Sequence, residues 1–369
     1  MKEMVRTTRP LLSLLLLLLT LAACMSRGPE PSANKEPSAN KEPSANKEPS
    51  ANKQQQPSTQ TPAVNPEAAA TQTLIETERK QALLDEQIAQ ANQAEESAKA
   101  IEAVIAINKL CHAIGRKLGS VSIEDCEREP LIHSEYSTEG RSIAYREYLP
   151  IEGHQNLGKV LVLGGIHGDE LSSVSVVFKW LKILDQFHNG LFHWRIVPTV
   201  NPDGLLRSKS QRQNSNGIDL NRNFPTADWS KNAIAYWEHK TKYNPRRNPG
   251  SAPASEVETQ WIVNQIDSFQ PDVIISMHAP YHLVDYDGPP TAPENLGSLY
   301  LRKLGVYPGS LGNYVGIDKN KPIVTVELKS AGIMPRQTEI DTMWNDLVRW
   351  LSEQLQPDQA ITERLSEQD

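Results

Sequence analysis

Three short apolar runs limit what this chain can fold into: Lys159-Val-Leu-Val-Leu163, Val273-Ile-Ile-Ser276 and Pro322-Ile-Val-Thr-Val326. Each is too short for a core helix, rich in β-branched residues and flanked by turn or polar residues. Each therefore reads as a strand buried on both faces. Ser142–Tyr148 and Phe192–Val200 read as further strands, the second followed by a long polar loop. Between them lie helical patterns over Leu171–Leu184 and Ile340–Leu355, and a third helix opening at Ser255. There, Ser255 with Glu258 fits a capping box ahead of Trp261, Ile262 and Ile266. Buried strands alternating with helices imply an α/β domain with a mostly parallel or mixed sheet. In such sheets ligands gather beyond the carboxyl ends of the strands.

The first hundred residues have a different texture. Lys2, Arg6 and Arg9 precede an apolar run, Leu11–Leu21, which ends at Ala22-Ala23-Cys24. This reads as an export signal over 1–23, too short to span a bilayer comfortably. It resembles the lipobox of bacterial lipoproteins, which implies acylation of Cys24; an ordinary cleaved signal is the alternative. Met25 follows Cys24 where an Asp marks retention in the inner membrane, so the resemblance implies the outer membrane, facing the periplasm. Glu30-Pro-Ser-Ala-Asn-Lys35 then repeats without error to Lys53, and Gln, Pro, Ser and Thr continue to about Pro66. None of this can bury a core, so 24–66 is expected to be a disordered tether, with a typical span of about 35 Å for ~40 flexible residues. Residues 67–110 read as a helical stalk whose apolar face is weak over 85–100, and the sequence names no protein partner for it. A catalytic domain is expected over 111–369. Setting Cys24 aside leaves Cys111 and Cys126, an even pair that in an oxidising compartment suggests a disulfide, with two packed free thiols as the alternative. The formal net charge of −7 argues against nucleic acid as a partner.

Four clusters lie beyond the apolar strands. Gly164-Gly165-Ile166-His167-Gly168-Asp169-Glu170 follows the first, His278 leaves the second and Glu327 leaves the third. The fourth is the loop from Arg212 to Asn223, with Gly217-Ile218-Asp219-Leu220-Asn221-Arg222-Asn223. Two His and one Glu form the ligand set of a catalytic zinc that keeps a position open for water. A His-x-x-Glu pair alone is weak, because it arises by chance and most histidines are structural.

Order and context make it specific. His167 and Glu170, Asn201-Pro202-Asp203-Gly204, Arg212, Asp219 to Phe224, His278 and Glu327 occur in the order seen in zinc carboxypeptidases related to carboxypeptidase A. The chain resembles that family over roughly 130–355, and within it the bacterial murein peptide amidases. The resemblance implies a mixed eight-stranded sheet flanked by helices. It implies one zinc per chain, bound by His167, Glu170 and His278, with Glu327 as general base and Arg212 stabilising the oxyanion. It implies that Asn221 and Arg222 hold a free substrate carboxylate and that Asp219 hydrogen-bonds His167. Asp219 in an Asx-type turn and Arg222 in a structural ion pair are the plainer alternatives. Asn201-Pro-Asp-Gly reads as a turn and is assigned no chemistry. Tyr307 and Tyr314 fall near the position of the pocket tyrosine of digestive members, but neither makes a convincing match.

The resemblance implies an amide hydrolase acting on murein peptides, at the γ-D-glutamyl–diaminopimelate bond. Trimming of ordinary peptides, deacylation of N-acyl amino acids and a binding protein with a relic site remain alternatives at this point.

Overall fold

The structure is a computed structural model that describes residues 66–355. The signal, Cys24 and the repeat tether lie outside the described residues. The first element is a single helix, α1 (Pro66–Lys117). Leu74, Leu83, Leu84, Ile88 and Ile101 along it are exposed, whereas Ile107, Leu110, Cys111 and Ile114 enter the core. A short helix, α2 (Ile123–Arg128), follows, capped by the Ser122 side chain, which accepts from Asp125 N.

Cys111 and Cys126 are joined in a disulfide, with Cα atoms 5.3 Å apart, and both are fully buried. The link staples the end of α1 to α2. Closing a loop of this length contributes about 3 kcal/mol in the chain-entropy model. Replacing both cysteines with Ser is therefore expected to lower Tm by roughly 6–12 °C, using about 2–4 °C per kcal/mol for a domain of this size. Thermal unfolding followed by circular dichroism tests this. An unchanged Tm, or free thiols at both positions in exported protein, would remove the bond from the account of stability.

The main sheet contains β1 (Ile132–Tyr136), β2 (Ser142–Tyr148), β3 (Gly158–Leu163), β4 (Phe192–Val197), β5 (Val273–His278), β6 (Leu283–Asp287) and β9 (Ile323–Glu327). Its order is β1-β2-β4-β3-β5-β9-β6. The four central strands are parallel, and the antiparallel pairings are β1 with β2, β2 with β4 and β6 with β9. The sheet thus has seven strands where the resemblance implied eight. Between β6 and β9 the chain forms only the two-residue pair β7 (Asn295–Leu296) and β8 (Leu299–Tyr300), in a separate ribbon, and a π-helical turn, Asn313–Asp318. Pro289, Pro290 and Pro293 interrupt this stretch, and proline cannot donate to a ladder.

Both faces of the sheet are covered, which is why the central strands carry no polar alternation. With a period of two residues, Val160, Val162, Val273 and Ile275 face one core, where α3 (Leu171–Phe187) and α7 (Gln337–Gln354) pack with Trp180, Leu181, Trp344 and Leu347. Leu161, Leu163 and Ile274 face the other, against Trp261, Ile262 and Ile266 of α6 (Val257–Phe269).

The helix expected to open at Ser255 is capped one residue later. Its N-cap is Glu256, without a side-chain cap bond. Glu258, the expected partner in a capping box, is fully buried and accepts from Thr138 N and Asn214 Nδ2 instead. The polar loop after β4 also contains elements that the sequence hid: α4 (Pro202–Leu206), and α5 (Trp229–His239), of which only Trp229 and Ala233 are buried. So thin a buried stripe leaves little periodic signal. Among the described residues no helix is long and apolar enough to cross a membrane.

Candidate active site

Strands β3, β5 and β9 are neighbours, and the carboxyl ends of all three open on the same edge. His278 and Glu327 are paired across the β5–β9 ladder. The chain leaving β3 turns through Gly164–Asp169 and brings Glu170 to the N-cap position of α3. The helix dipole there favours its negative charge. This turn tolerates no bulk: a Cβ on Gly168 would stand 2.2 Å from the Gly204 carbonyl carbon. Asn201 holds the opposing turn by accepting from Gly204 N at 2.8 Å, and Asp203 is buried there against Arg141 Nη1 at 2.6 Å. The Asn-Pro-Asp-Gly turn is therefore structural support for the site.

The predicted ligands converge. His167, Glu170 and His278 are all buried and offer donor atoms within 4.8 Å of one another. His167 Nδ1 lies 2.7 Å from Glu170 Oε1, His278 Nδ1 lies 3.0 Å from Glu170 Oε2, and the two Nδ1 atoms are 3.1 Å apart. Donors around a tetrahedral zinc at ~2.0–2.1 Å stand about 3.3 Å apart, so the trio fits the ion with little adjustment. Of the far ring nitrogens, His278 Nε2 meets Ser276 Oγ at 2.9 Å, and His167 Nε2 lies 3.3 Å from Asp219 Oδ1, within ion-pair range but without a formed hydrogen bond. Such contacts set the tautomer that leaves Nδ1 free for a metal. Burial pushes the Glu170 carboxyl up, but the two imidazoles outweigh it and hold the group well below its usual range. Burial likewise opposes protonation of His278, and the Glu170 carboxylate more than offsets it.

Asp219 serves two of its predicted readings at once. It caps the 3₁₀ turn Leu220–Arg222 by accepting from Asn221 N at 3.1 Å, as an Asx turn does, and it faces His167. Its other oxygen accepts from Arg212 Nε at 2.8 Å. Burial would raise its pKa, but Arg212 first and then His167 keep it well below the ordinary value. Arg212 itself is buried at the ligand trio, with Nη1 3.1 Å from His167 Nδ1 and 3.6 Å from Glu170 Oε1. Arg212 is therefore no solvated loop charge, although its loop is rich in Ser, Gln and Asn.

Glu327 is buried and accepts from Tyr281 N at 3.3 Å. Burial pushes its carboxyl up to about 7; the charge on His278 opposes this and the charge on Glu170 reinforces it. A base that titrates near neutral pH suits proton transfer in both directions.

A cavity of about 310 Å³ unites these groups with Asn221 and Arg222. Arg222 is buried, which pushes its pKa down to about 10. Its Nη1 donates to Asn221 O, its Nε has no partner, and among the described residues no carboxylate lies in ion-pair range. Asn221 Oδ1 accepts from Leu311 N at 2.8 Å, which leaves its amide nitrogen for the cavity. The Tyr307 ring lies over the Arg222 guanidinium at 4.6 Å. Tyr307 thus lines the pocket, where the sequence offered no convincing tyrosine; Tyr314 instead is buried on the second core beside Phe224. Arg246, Arg247, Asp285 and Asp287 complete the rim and wall. Arg246 pairs with Asp169 at 2.7 Å. An adjacent Arg-Arg in a polar loop was the only sequence signal for this group, and a weak one.

The zinc carboxypeptidase family (Peptidase_M14) matches residues 118–299, which include His167, Glu170, Arg212, Arg222 and His278. Residues 118–299 thus match a zinc carboxypeptidase domain. Murein peptide amidase A of Escherichia coli strain K12 is 37% identical over 130 residues, or 34% of this chain and 50% of that protein. Murein peptide amidase A of Vibrio campbellii is 28% identical over 190 residues, or 49% of this chain and 73% of that protein. The chain spans half the length of the first of these relatives. The crystal structure of thrombin activatable fibrinolysis inhibitor shares the fold, with a TM-score of 0.51 at 18% identity over 63% of this chain and 71% of that chain. The family is zinc-dependent, in keeping with the His–Glu–His trio.

Proposed function

We propose that this chain is a zinc-dependent amide hydrolase that cleaves murein peptides at the γ-D-glutamyl–diaminopimelate bond. The observation that carries the reading is the buried, unpaired Arg222 in the same cavity as the His167–Glu170–His278 trio and Glu327. A desolvated guanidinium without a counter-charge is costly unless a ligand supplies the anion. A free carboxylate close to the scissile amide does so, and its position against Arg222 and Asn221 sets the amide over the trio. The murein amidases of the two bacterial relatives point to the substrate class. Export and acylation at Cys24, proposed from the sequence alone, place the enzyme beside the cell wall on the outer membrane, facing the periplasm.

Zinc held by His167, Glu170 and His278 would acidify a water and polarise the scissile carbonyl. Glu327 takes the proton of the attacking water and passes it to the leaving amine. Arg212, fixed through Nε by Asp219, presents positive charge where the oxyanion develops. Asp219 keeps both His167 and Arg212 in place.

Arg222→Lys keeps the charge and loses the planar two-pronged geometry. It is expected to lower kcat/KM at least about tenfold, or ~1.4 kcal/mol of transition-state stabilisation. Amidating the substrate carboxylate should cost wild type about as much and the variant little more. Equal cleavage of amidated and free substrate by wild type would mean that the carboxylate is not read. The reading as a whole is tested by incubating protein from Met25 onward, with and without chelator, with tripeptide and tetrapeptide muropeptides, followed by mass spectrometry. Release of diaminopimelate-containing product only without chelator supports it. Cleavage of ordinary peptide C-termini or N-acyl amino acids alone would replace it with one of the other two hydrolytic activities.

A further inference from the structure

Four arginines line the cavity, and three of them are accounted for. Arg212 donates to Asp219, Arg246 pairs with Asp169, and Arg222 is the guanidinium assigned above to a carboxylate beside the scissile amide. Arg247 is left over. Its side chain is 30% exposed and makes no hydrogen bond among the described residues. The carboxylate in ion-pair range is Asp219, whose Oδ2 lies 3.8 Å from Arg247 Nη1 but already accepts from Arg212 Nε at 2.8 Å. Burial depresses the Arg222 pKa, Asp219 opposes this, and the charges of Arg212 and Arg247 add to it. The cavity therefore holds two guanidiniums, Arg222 and Arg247, that repel each other, and neither has an anion of its own. The place of Arg247 is fixed by its surroundings. It closes the 3₁₀ turn Pro245–Arg247, which Asn244 caps by accepting from Arg246 N at 3.0 Å. Gln213 Nε2 donates to Pro245 O at 2.7 Å, and Asp219 N donates to Asn248 O at 2.8 Å. The turn is thus stitched on both sides to the loop that carries Arg212 and Asp219.

We propose that Arg247 reads a second carboxylate of the substrate, carried by the residue on the acyl side of the scissile amide, so that the enzyme selects a glutamyl residue whose α-carboxyl is free. The inference rests on the amidase reading above and adds an acyl-side contact to it. In a γ-glutamyl amide only the three carbons of the glutamyl chain separate the α-carboxylate from the scissile carbonyl. Arg247 is placed to meet it, because it shares Asp219 with Arg212, the arginine assigned to the oxyanion of that carbonyl. A planar guanidinium binds a carboxylate through two parallel bonds. With Arg222 on the leaving-side carboxylate and Arg247 on the acyl-side one, the amide between them is held from both ends. An amide in place of the acyl-side carboxylate removes the charge-assisted pair and leaves the repulsion among the arginines uncompensated.

The test uses L-Ala-γ-D-Glu-diaminopimelate, the same peptide with its glutamyl α-carboxyl amidated, and the zinc-loaded protein. Wild type is expected to cleave the free acid with kcat/KM at least about tenfold above the amide, mainly through KM. Arg247→Gln should bring the two peptides within about threefold of each other, by slowing cleavage of the free acid. Arg247→Lys keeps the charge and loses the two-pronged geometry, so its ratio should fall between the two. A merely structural role for Arg247 would slow both peptides alike and leave the ratio unchanged. Metal analysis and circular dichroism report the fold of each variant; if Arg247→Gln does not fold, the ratio of Arg247→Lys decides, and a ratio equal to wild type overturns the subsite. A wild type that does not prefer the free acid, or an Arg247→Gln variant that keeps the preference, also overturns the subsite and leaves the amidase reading intact. If wild type cleaves neither peptide, the amidase reading fails. Calorimetric binding of the two peptides then decides the subsite: a preference for the free acid that is lost in Arg247→Gln supports it, and equal binding or none overturns it.

Discussion

Glu327→Gln is expected to keep its metal and lose about 10²–10⁴ in kcat, the usual worth of a general base. The substitution is nearly isosteric, and the amide oxygen can still accept from Tyr281 N as Glu327 Oε2 does at 3.3 Å. What disappears is the carboxylate proposed to take the proton. Glu327 belongs to no ion pair among the described residues and sits at the end of β9 beside His278 in the ladder. Burial has brought its carboxyl to about 7, so it can hold a proton and release it within one turnover. Steady-state kinetics together with metal analysis of the same preparation separates the outcomes. Turnover within a few-fold of wild type would show that another group takes the proton. Loss of metal together with activity would show that Glu327 holds the site together, in place of acting as the base.

His278→Ala is expected to abolish stoichiometric zinc binding and reduce turnover by more than about 100-fold. Losing a contact outside the ligand shell costs about 10–100-fold in affinity or activity, and removal of a ligand is more severe. Only three donors converge in the described structure, all of them buried. A catalytic zinc site needs three protein ligands to keep one position for water. With His278 gone, Ala279 N still donates to Glu170 Oε2 at 3.2 Å, but His167 and Glu170 are left as a pair. Elemental analysis after gel filtration, with wild type at one zinc per chain, measures this directly. Full occupancy in the variant would exclude His278 from the metal site.

Much of the site was legible because each chemical residue stands where a short apolar run stops. His167 with Glu170, His278 and Glu327 each follow a strand whose ends are marked by a change from Val, Ile and Leu to polar residues. A strand buried on both faces writes itself into sequence as an unbroken apolar run. Where burial was partial the signal faded. α5 buries only two residues and read as loop, and the cap at Ser255 failed because Glu258 was drawn into a buried network with Asn214 and Thr138. Leu74, Leu83, Leu84 and Ile88 were scattered too loosely to define a face, and all four are exposed.

The order of residues along this chain by itself singled out the side chains that converge on the cavity, because that order resembles the order of motifs in zinc carboxypeptidases. It also determined that the domain alternates strand and helix, since periodicity is a local property. Which strands are neighbours was decided only by the tertiary structure. The order β3-β5-β9 brings together residues from distant parts of the chain, with His278 and Glu327 side by side in the ladder. The partner that each charge lacks was decided there too. The resemblance singled out Arg222, but nothing in the sequence shows that it is buried without a carboxylate in ion-pair range. Only folding, by removing water from its guanidinium and placing it in the cavity of the ligand trio, decided that.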